Sequence, residues 1–330
     1  SYGVISYDFY QLNYTQIIIK MNIKKIKIDK LYILVFFLML GACNNKLEYK
    51  ENSLIKYVDP FIGTGGHGHT YPGASMPFGM MQLSPDTRLD GWDGCSGYHY
   101  SDDEIYGFSH THLSGTGVSD YGDILLMPTN QAILNNGANG EKGYKSKFSH
   151  KNEVAQPGYY KVHLEDTNID VELTVSKRSG IHKYEYPSSK DQVLILDLEH
   201  RDQLNDFNIS IVNDREVKGF RHSNAWATNQ FLFYHIKFSH PIKDSDRLYE
   251  VSPTKESFEF INPNNEPVYV KIGISAVDEI GAKQNLEQEI GKKSFEDVKR
   301  EVQQTWESQL HKIVVEDNNQ TNKVNFYTAM

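Results

Sequence analysis

Between residues 159 and 276 the chain keeps returning to one pattern: a short run rich in β-branched and aromatic side chains, then a cluster of Pro, Gly, Asn or Asp. Such runs are too short and too β-branched for amphipathic helices, and the clusters between them are turn formers. Residues 192–198 and 267–276 are predicted strands, the second with strict alternation, and further strands are predicted at 159–164, 169–176, 180–186, 207–212, 230–238 and 257–261. Many short strands at close spacing predict a mainly β fold, an antiparallel β-sandwich over about 55–277.

The pattern changes after Asp278. Apolar residues then recur at helical intervals over 282–290 and again at Phe295, Val298, Val302, Trp306 and Leu310, with Ser294 placed as an N-cap. The sandwich is therefore expected to run into a short helical connector, 278–312. Residues 313–330 read as the start of a further domain, cut at Asn325 to Met330 without a terminating polar tail.

At the other end, Met21 opens a basic stretch (Lys24, Lys25, Lys27, Lys30), an apolar run from Leu31 to Leu40, and then Gly41, Ala42 and Cys43. An apolar core of about ten residues is well short of the roughly 20 that span a bilayer, so 21–43 reads as an export signal. Its ending resembles a lipobox with Cys43 as the lipidated residue, and 44–54 as the polar tether; an ordinary secretory signal is the alternative. Residues 1–20 precede the first methionine, fit no export pattern and are read as extraneous. The expected location is the periplasm or the outer membrane of a bacterium, with the membrane reached only through the lipid.

A formal net charge of -9 argues against nucleic acid or an anionic membrane surface as partner, since either needs clustered Lys and Arg. A neutral ligand fits better. With only two cysteines, Cys43 and Cys95, neither a disulfide framework nor a Cys-based zinc site can be built. Aromatic residues are plentiful (21 Tyr, 16 Phe, 3 Trp), and rings of this kind bind sugars.

The densest chemistry lies in 57–128, where glycines, histidines and aromatics crowd together with few regular strands expected. Gly63, Gly65 and Gly68 formally match a dinucleotide fingerprint, but no apolar strand precedes them and Pro72 with Gly73 prevents a following helix. A loop so rich in glycine lets backbone approach a ligand, with a purely structural turn as the alternative. Trp92 beside Asp93, flanked by Gly91, Gly94 and Gly97, pairs an indole face with a carboxylate, which suits a pyranose; a core Trp with a capping Asp is the other reading. His110 and His112, spaced i and i+2, would share one face of a strand. With His67 and His69 they make two His-x-His pairs, read as hydrogen-bonding groups in preference to a zinc or copper site. Asp120 and Asp123 are read as turn caps before calcium ligands.

Four blocks together, Tyr57 to His67, Pro77 to Thr87, Gly91 to Asp93 and Gly107 to Gly115, resemble in order and spacing the opening domain of glycoside hydrolase family 92. The resemblance covers the chain from Tyr57 to its end, and Asn325 to Met330 is similar to the start of the family's helical domain. It implies a calcium-dependent inverting exo-α-mannosidase in which the sandwich packs on an (α/α)6 barrel, with the substrate, a mannose-containing glycan, held between them. That barrel is absent from this chain, and with it go the implied general acid, general base and calcium ligands; no catalytic residue is assigned. What carries over is the sandwich's share of the mannose pocket: Trp92 walling the ring, Asp93 and the Gly65-Gly66 backbone as polar contacts, and His110 and His112 as supporting groups. The fragment alone is expected to be inactive, with its own missing barrel as principal partner. Two other classes stay open: a free-standing carbohydrate-binding module, and a structural sandwich holding a metal between its histidine pairs.

Overall fold

The computed structural model describes residues 52–243 and 252–330, so the export signal, Cys43 and the tether up to residue 51 lie outside the described residues. The strands, in chain order, are β1 (Ala74–Ser75), β2 (Gln82–Asp86), β3 (Glu104–Ile105), β4 (Gly107–Ser109), β5 (Leu125–Thr129), β6 (Ser146–Lys147), β7 (Glu153–Gln156) and β8 (Tyr159–Leu164). They continue with β9 (Ile169–Val175), β10 (Ser179–Glu185), β11 (Val193–Asp197), β12 (Gln203–Asn213), β13 (Glu216–Asn224), β14 (Gln230–Phe238), β15 (Lys255–Glu259) and β16 (Val268–Ser275). Three helices close the chain: α1 (Glu279–Glu289), α2 (Phe295–Leu310) and α3 (Gln320–Ala329).

Two antiparallel sheets carry the fold. One has the order β1-β2-β4-β5-β11-β15 and the other β12-β13-β14-β16-β10-β9-β8-β7, with β3 and β6 forming a small pair of their own. Their facing sides share one core, in which Leu126, Ile195 and Phe258 of the first sheet belong to the same buried cluster as Val171, Tyr234 and Ile272 of the second. The alternation read from 267–276 appears as Val268, Val270, Ile272 and Ile274, all buried in that core. The opposite face of the larger sheet is covered by helix: Tyr159 and Ile181 pack with Leu286, Ile290, Phe295 and Val298. Ser294 caps α2 as expected, in a full capping box with Asp297. Among the described residues no helix is long and apolar enough to cross a membrane.

Two features depart from the sequence reading. The segment 57–128 contains core strands after all, β2, β4 and β5, and it is their prolines that hide them. Pro85 and Pro128 sit inside β2 and β5, where a proline ordinarily argues against a strand. Both are tolerated because the neighbours are short: β1 pairs only with Gln82 and Leu83, and β4 meets β5 only at Phe108↔Leu126. Outside that segment the short β6 and β7 were not predicted either, nor was β13, whose inward positions include Gly219 and Arg221 beside Val217, so its alternation is weak in hydrophobicity although its burial alternates strictly.

Candidate functional site

Three connections meet at one end of the sandwich: residues 61–70, the stretch 87–103 between β2 and β3, and the β4–β5 connection 110–124. The first is a compact turn closed by Gly68 N to Gly65 O at 3.0 Å and Thr70 N to Gly63 O at 3.3 Å. Gly65 and Gly66 are exposed at its tip, and Gly66 has φ +60, a conformation that side chains rarely adopt. His99 fixes that tip. Its Nδ1 accepts from Ser101 N at 3.2 Å, which leaves Nε2–H to donate to Gly66 O at 3.0 Å.

Trp92 and Asp93 sit on the second loop. Trp92 is 63% exposed, which removes the reading of a core indole. Its ring meets His69 edge-on, centroids 5.3 Å apart, and Gly117 of the third loop lies against its far edge. Asp93 Oδ1 accepts from His67 Nδ1 at 2.8 Å, and this hydrogen bond holds the Asp93 carboxyl below the usual carboxylate range. At neutral pH the loop therefore presents a half-open indole beside a negative charge.

The underside of the loop is polar and buried. Arg201 donates to Gly94 O at 3.1 Å and to Ser119 Oγ at 2.6 Å, so one side chain fastens the second loop to the third. Cys95, a free buried thiol, adds a contact to Thr116 O at 2.6 Å. Below them Asp86 is wholly buried, accepting from Ser109 Oγ at 2.5 Å with the His112 and His200 rings each 3.4 Å away. Burial alone would raise the Asp86 carboxyl; the two imidazoles hold it well below its ordinary range.

His110 and His112 do not share a face. The strand ends at Ser109, so the two-residue period stops before it reaches them. His112 donates from Nδ1 to Gln82 O at 2.8 Å and lies under Gly97, where it supports the Trp92 loop from below. His110 is turned elsewhere, with Nδ1 2.6 Å from Ile124 O and Nε2 2.9 Å from His182 Nε2. Both are buried. Among the described residues no three of His, Cys, Asp and Glu gather closely enough to hold a metal ion, so the histidine-pair alternative finds no ligand set among them.

Asp123 is likewise no turn cap. It is fully buried and takes an ion pair from Arg221, with Thr111 Oγ1 at 2.6 Å and Gln230 Nε2 at 2.7 Å. Asp120 accepts from Ala227 N at 3.0 Å, reaching across to the β13–β14 connection. His67 as an individual, Gly117, Asp86 and Arg201 belong to the site without being marked by any pattern in the sequence. Nothing in one sequence marks Arg201 as a neighbour of Gly94, because the two stand 107 residues apart in the chain.

Comparison with known proteins agrees with this architecture. Residues 57–275 match the glycosyl hydrolase family 92 N-terminal domain, and residues 281–330 match the glycosyl hydrolase family 92 catalytic domain. A family GH92 alpha-mannosidase from Bacteroides thetaiotaomicron superposes with a TM-score of 0.75 at 32% identity, over 84% of this chain and 40% of that one. The same enzyme has been solved in complex with mannoimidazole. An uncharacterized secreted glycosidase of Arthroderma benhamiae is 31% identical over 164 residues, 45% of this chain and 20% of that protein. The chain thus spans about two fifths of the length of the solved relative and a fifth of the curated one. With a family model matched over most of its length, the chain belongs to glycosyl hydrolase family 92.

Proposed function

We propose that this chain forms the sandwich wall of a terminal-mannose pocket in an exported, calcium-dependent, inverting exo-α-mannosidase that acts on mannose-containing glycans such as N-glycans or mannans. The observation that carries it is the pairing of an exposed Trp92 indole with a charged Asp93 on a loop anchored from below by Arg201. The C–H face of a pyranose stacks on such a ring, and a carboxylate accepts two hydroxyl hydrogen bonds without calling for a charged substrate. Asp93 Oδ1 is taken by His67, so Oδ2 is the oxygen left for a sugar hydroxyl. The exposed backbone at Gly65 and Gly66 supplies further polar contacts. Support from outside the chain comes from the solved relative, an alpha-mannosidase seen with mannoimidazole.

The role of these residues is to bind and orient. Inversion needs two carboxylates roughly 6.5–9.5 Å apart with a water between them, and no such pair is assigned here. On this reading the acid, the base and the calcium ligands belong to the barrel, which is the partner of this surface. Phe78, 99% exposed on a strained backbone at φ +58, is the kind of side chain such a partner would cover. The chain alone then contributes positioning without proton transfer, and is inactive.

The test is Trp92→Ala in a chain extended through a complete family 92 catalytic domain. The value of kcat/KM on an aryl α-mannoside should fall roughly tenfold or more, equivalent to about 1.4 kcal/mol of transition-state stabilisation, with Tm nearly unchanged. Unaltered kcat/KM would remove Trp92 from the pocket. Export through a lipid at Cys43 is tested separately: Cys43→Ser should move the protein from the membrane to the soluble fraction, and unchanged fractionation would return the leader to an ordinary secretory signal.

A further inference from the structure

A cavity of about 440 Å³ opens at the end of the sandwich opposite the Trp92 loop. This falls in the roughly 300–1,000 Å³ range of small-molecule pockets. Asn130, Tyr144, Asp166, Thr167, Ser189 and Asp191 are among its lining residues. Its position follows from register. Antiparallel β5 and β11 pair Thr129 with Val193 at the cavity end and Leu125 with Asp197 at the other, and Arg201, which holds the Trp92 loop, follows Asp197. At about 3.4 Å per residue the two ends of β5 are about 14 Å apart.

The cavity is preformed. Asn130 Nδ2 donates to Thr167 O at 2.7 Å, Lys147 N donates to Asp166 Oδ2 at 2.8 Å, and Asp166 N donates to Ser146 Oγ at 3.1 Å. These bonds join β6 and the β5–β6 connection to the β8–β9 turn, so a ligand entering there has little loop ordering to do. Two lining side chains nevertheless carry a buried atom with no protein partner: Asn130 Oδ1 and Thr167 Oγ1. Such a buried polar atom costs about 1–3 kcal/mol unless something hydrogen-bonds to it.

The charges say what that something is. Of the lysines in the lining, Lys145 is already bonded to Glu104 at 2.6 Å, and Lys142 and Lys190 are offset by Asp166 and Asp191. With no surplus of either sign, neither an anion nor a cation is favoured. An amide oxygen, a hydroxyl and carboxylates side by side are donors and acceptors for several neighbouring hydroxyls at once. We propose that this cavity is a second glycan-binding site, distinct from the Trp92 loop, that takes one uncharged sugar residue of a polymeric or branched glycan. Holding the same glycan at two points raises the effective concentration of its ends at the first site. The two-point advantage rests on the Trp92 loop also binding glycan, whereas binding in the cavity itself is measured separately from that reading.

The experiment measures binding of methyl α-mannopyranoside and of α-mannan to the chain itself, by saturation-transfer NMR and affinity electrophoresis, with circular dichroism as the check on folding. Thr167→Val removes one unpartnered atom at constant shape, and Ser189→Trp fills the cavity from its exposed rim. Binding should persist in Trp92→Ala, and in that background it should weaken roughly fivefold on adding Thr167→Val, the loss of about one hydrogen bond, and disappear on adding Ser189→Trp. Binding that vanishes in Trp92→Ala but survives Ser189→Trp overturns the proposal, as does a cavity that takes only water, seen as no sugar binding beyond that of the Trp92 loop. Neither result bears on the kinetic test of Trp92, so the two readings fail separately.

Discussion

Gly117 lies against the indole of Trp92, so closely that a Cβ at residue 117 would fall 2.3 Å from both Cη2 and Cζ2 of the ring. Carbon atoms in contact prefer about 3.5–4.0 Å, so even a methyl group must push the ring away. Gly117→Ala is expected to shift the indole while leaving the sandwich intact, because the loop and the ring edge are largely outside the core. Trp emission should change and mannoside turnover in a complete enzyme should drop, with the unfolding midpoint hardly moved. An unchanged emission spectrum would mean that the ring has another resting place.

The ion pair between Arg221 and Asp123 is buried completely, with Arg221 also donating to Leu198 O at 2.8 Å and to the Arg201 carbonyl. Removing one partner leaves a charge stranded in the core, an effect of about 3–5 kcal/mol, whereas replacing both by apolar groups of similar size is far milder. Arg221→Met should therefore lose about 3–5 kcal/mol in urea unfolding, and Arg221→Met with Asp123→Leu should recover a good part of it. Additive losses in the double variant would show that the two side chains act independently.

Much of the sandwich was legible because hydrophobic alternation and burial coincide there: the predicted 159–164 and 230–238 are strands from end to end. The same holds for α2, whose apolar positions and Ser294 cap were both visible. β2 and β5 were not, since Pro85 and Pro128 break the local rule and are tolerated only by the length of neighbouring strands, which is tertiary information. In the site, glycines and aromatics marked the loops, but the buried groups beneath them left no trace. His200 and Arg201 follow β11, more than a hundred residues after the loop they support, and His110 looked equivalent to His112 until the strand was seen to end between them and Phe108.

At the N-terminus of α2 the Ser294 side chain accepts from Asp297 N at 3.1 Å while Asp297 returns a bond to the Ser294 backbone. The helix carries Phe295, Val298 and Val302 into the buried clusters, so its first turn matters to packing as well as to helix formation. Ser294→Ala should cost about 1 kcal/mol of global stability, and Ser294→Gly only a few tenths. Equal losses for the two would point to a contact other than the cap.

The His110–His182 contact makes stability depend on pH in a definite direction. Reading the partners from one end, Tyr184 O–H donates to His182 Nδ1 at 2.8 Å, His182 Nε2–H donates to His110 Nε2 at 2.9 Å, and His110 Nδ1–H donates to Ile124 O at 2.6 Å. Each ring is neutral in this chain of bonds, and one added proton would set two N–H groups against each other. Burial accordingly pushes His110 down to about 4 and His182 well below its ordinary value. An unfolded histidine titrates near 6.5, so between about 6.5 and 4 the unfolded chain holds protons that the folded chain does not, and stability rises with pH. The full contribution is present above about 6.5 and is lost as the pH falls through that window. Asp202 works the other way, raised by burial to about 6, and offsets part of this dependence. Unfolding free energy in urea is therefore expected to rise with pH between pH 5 and 6. His182→Gln keeps a donor toward His110 Nε2 but cannot take up a proton, and should flatten that rise. A slope between pH 6 and 5 that is the same in wild type and variant would show that the pair is already protonated in the folded state.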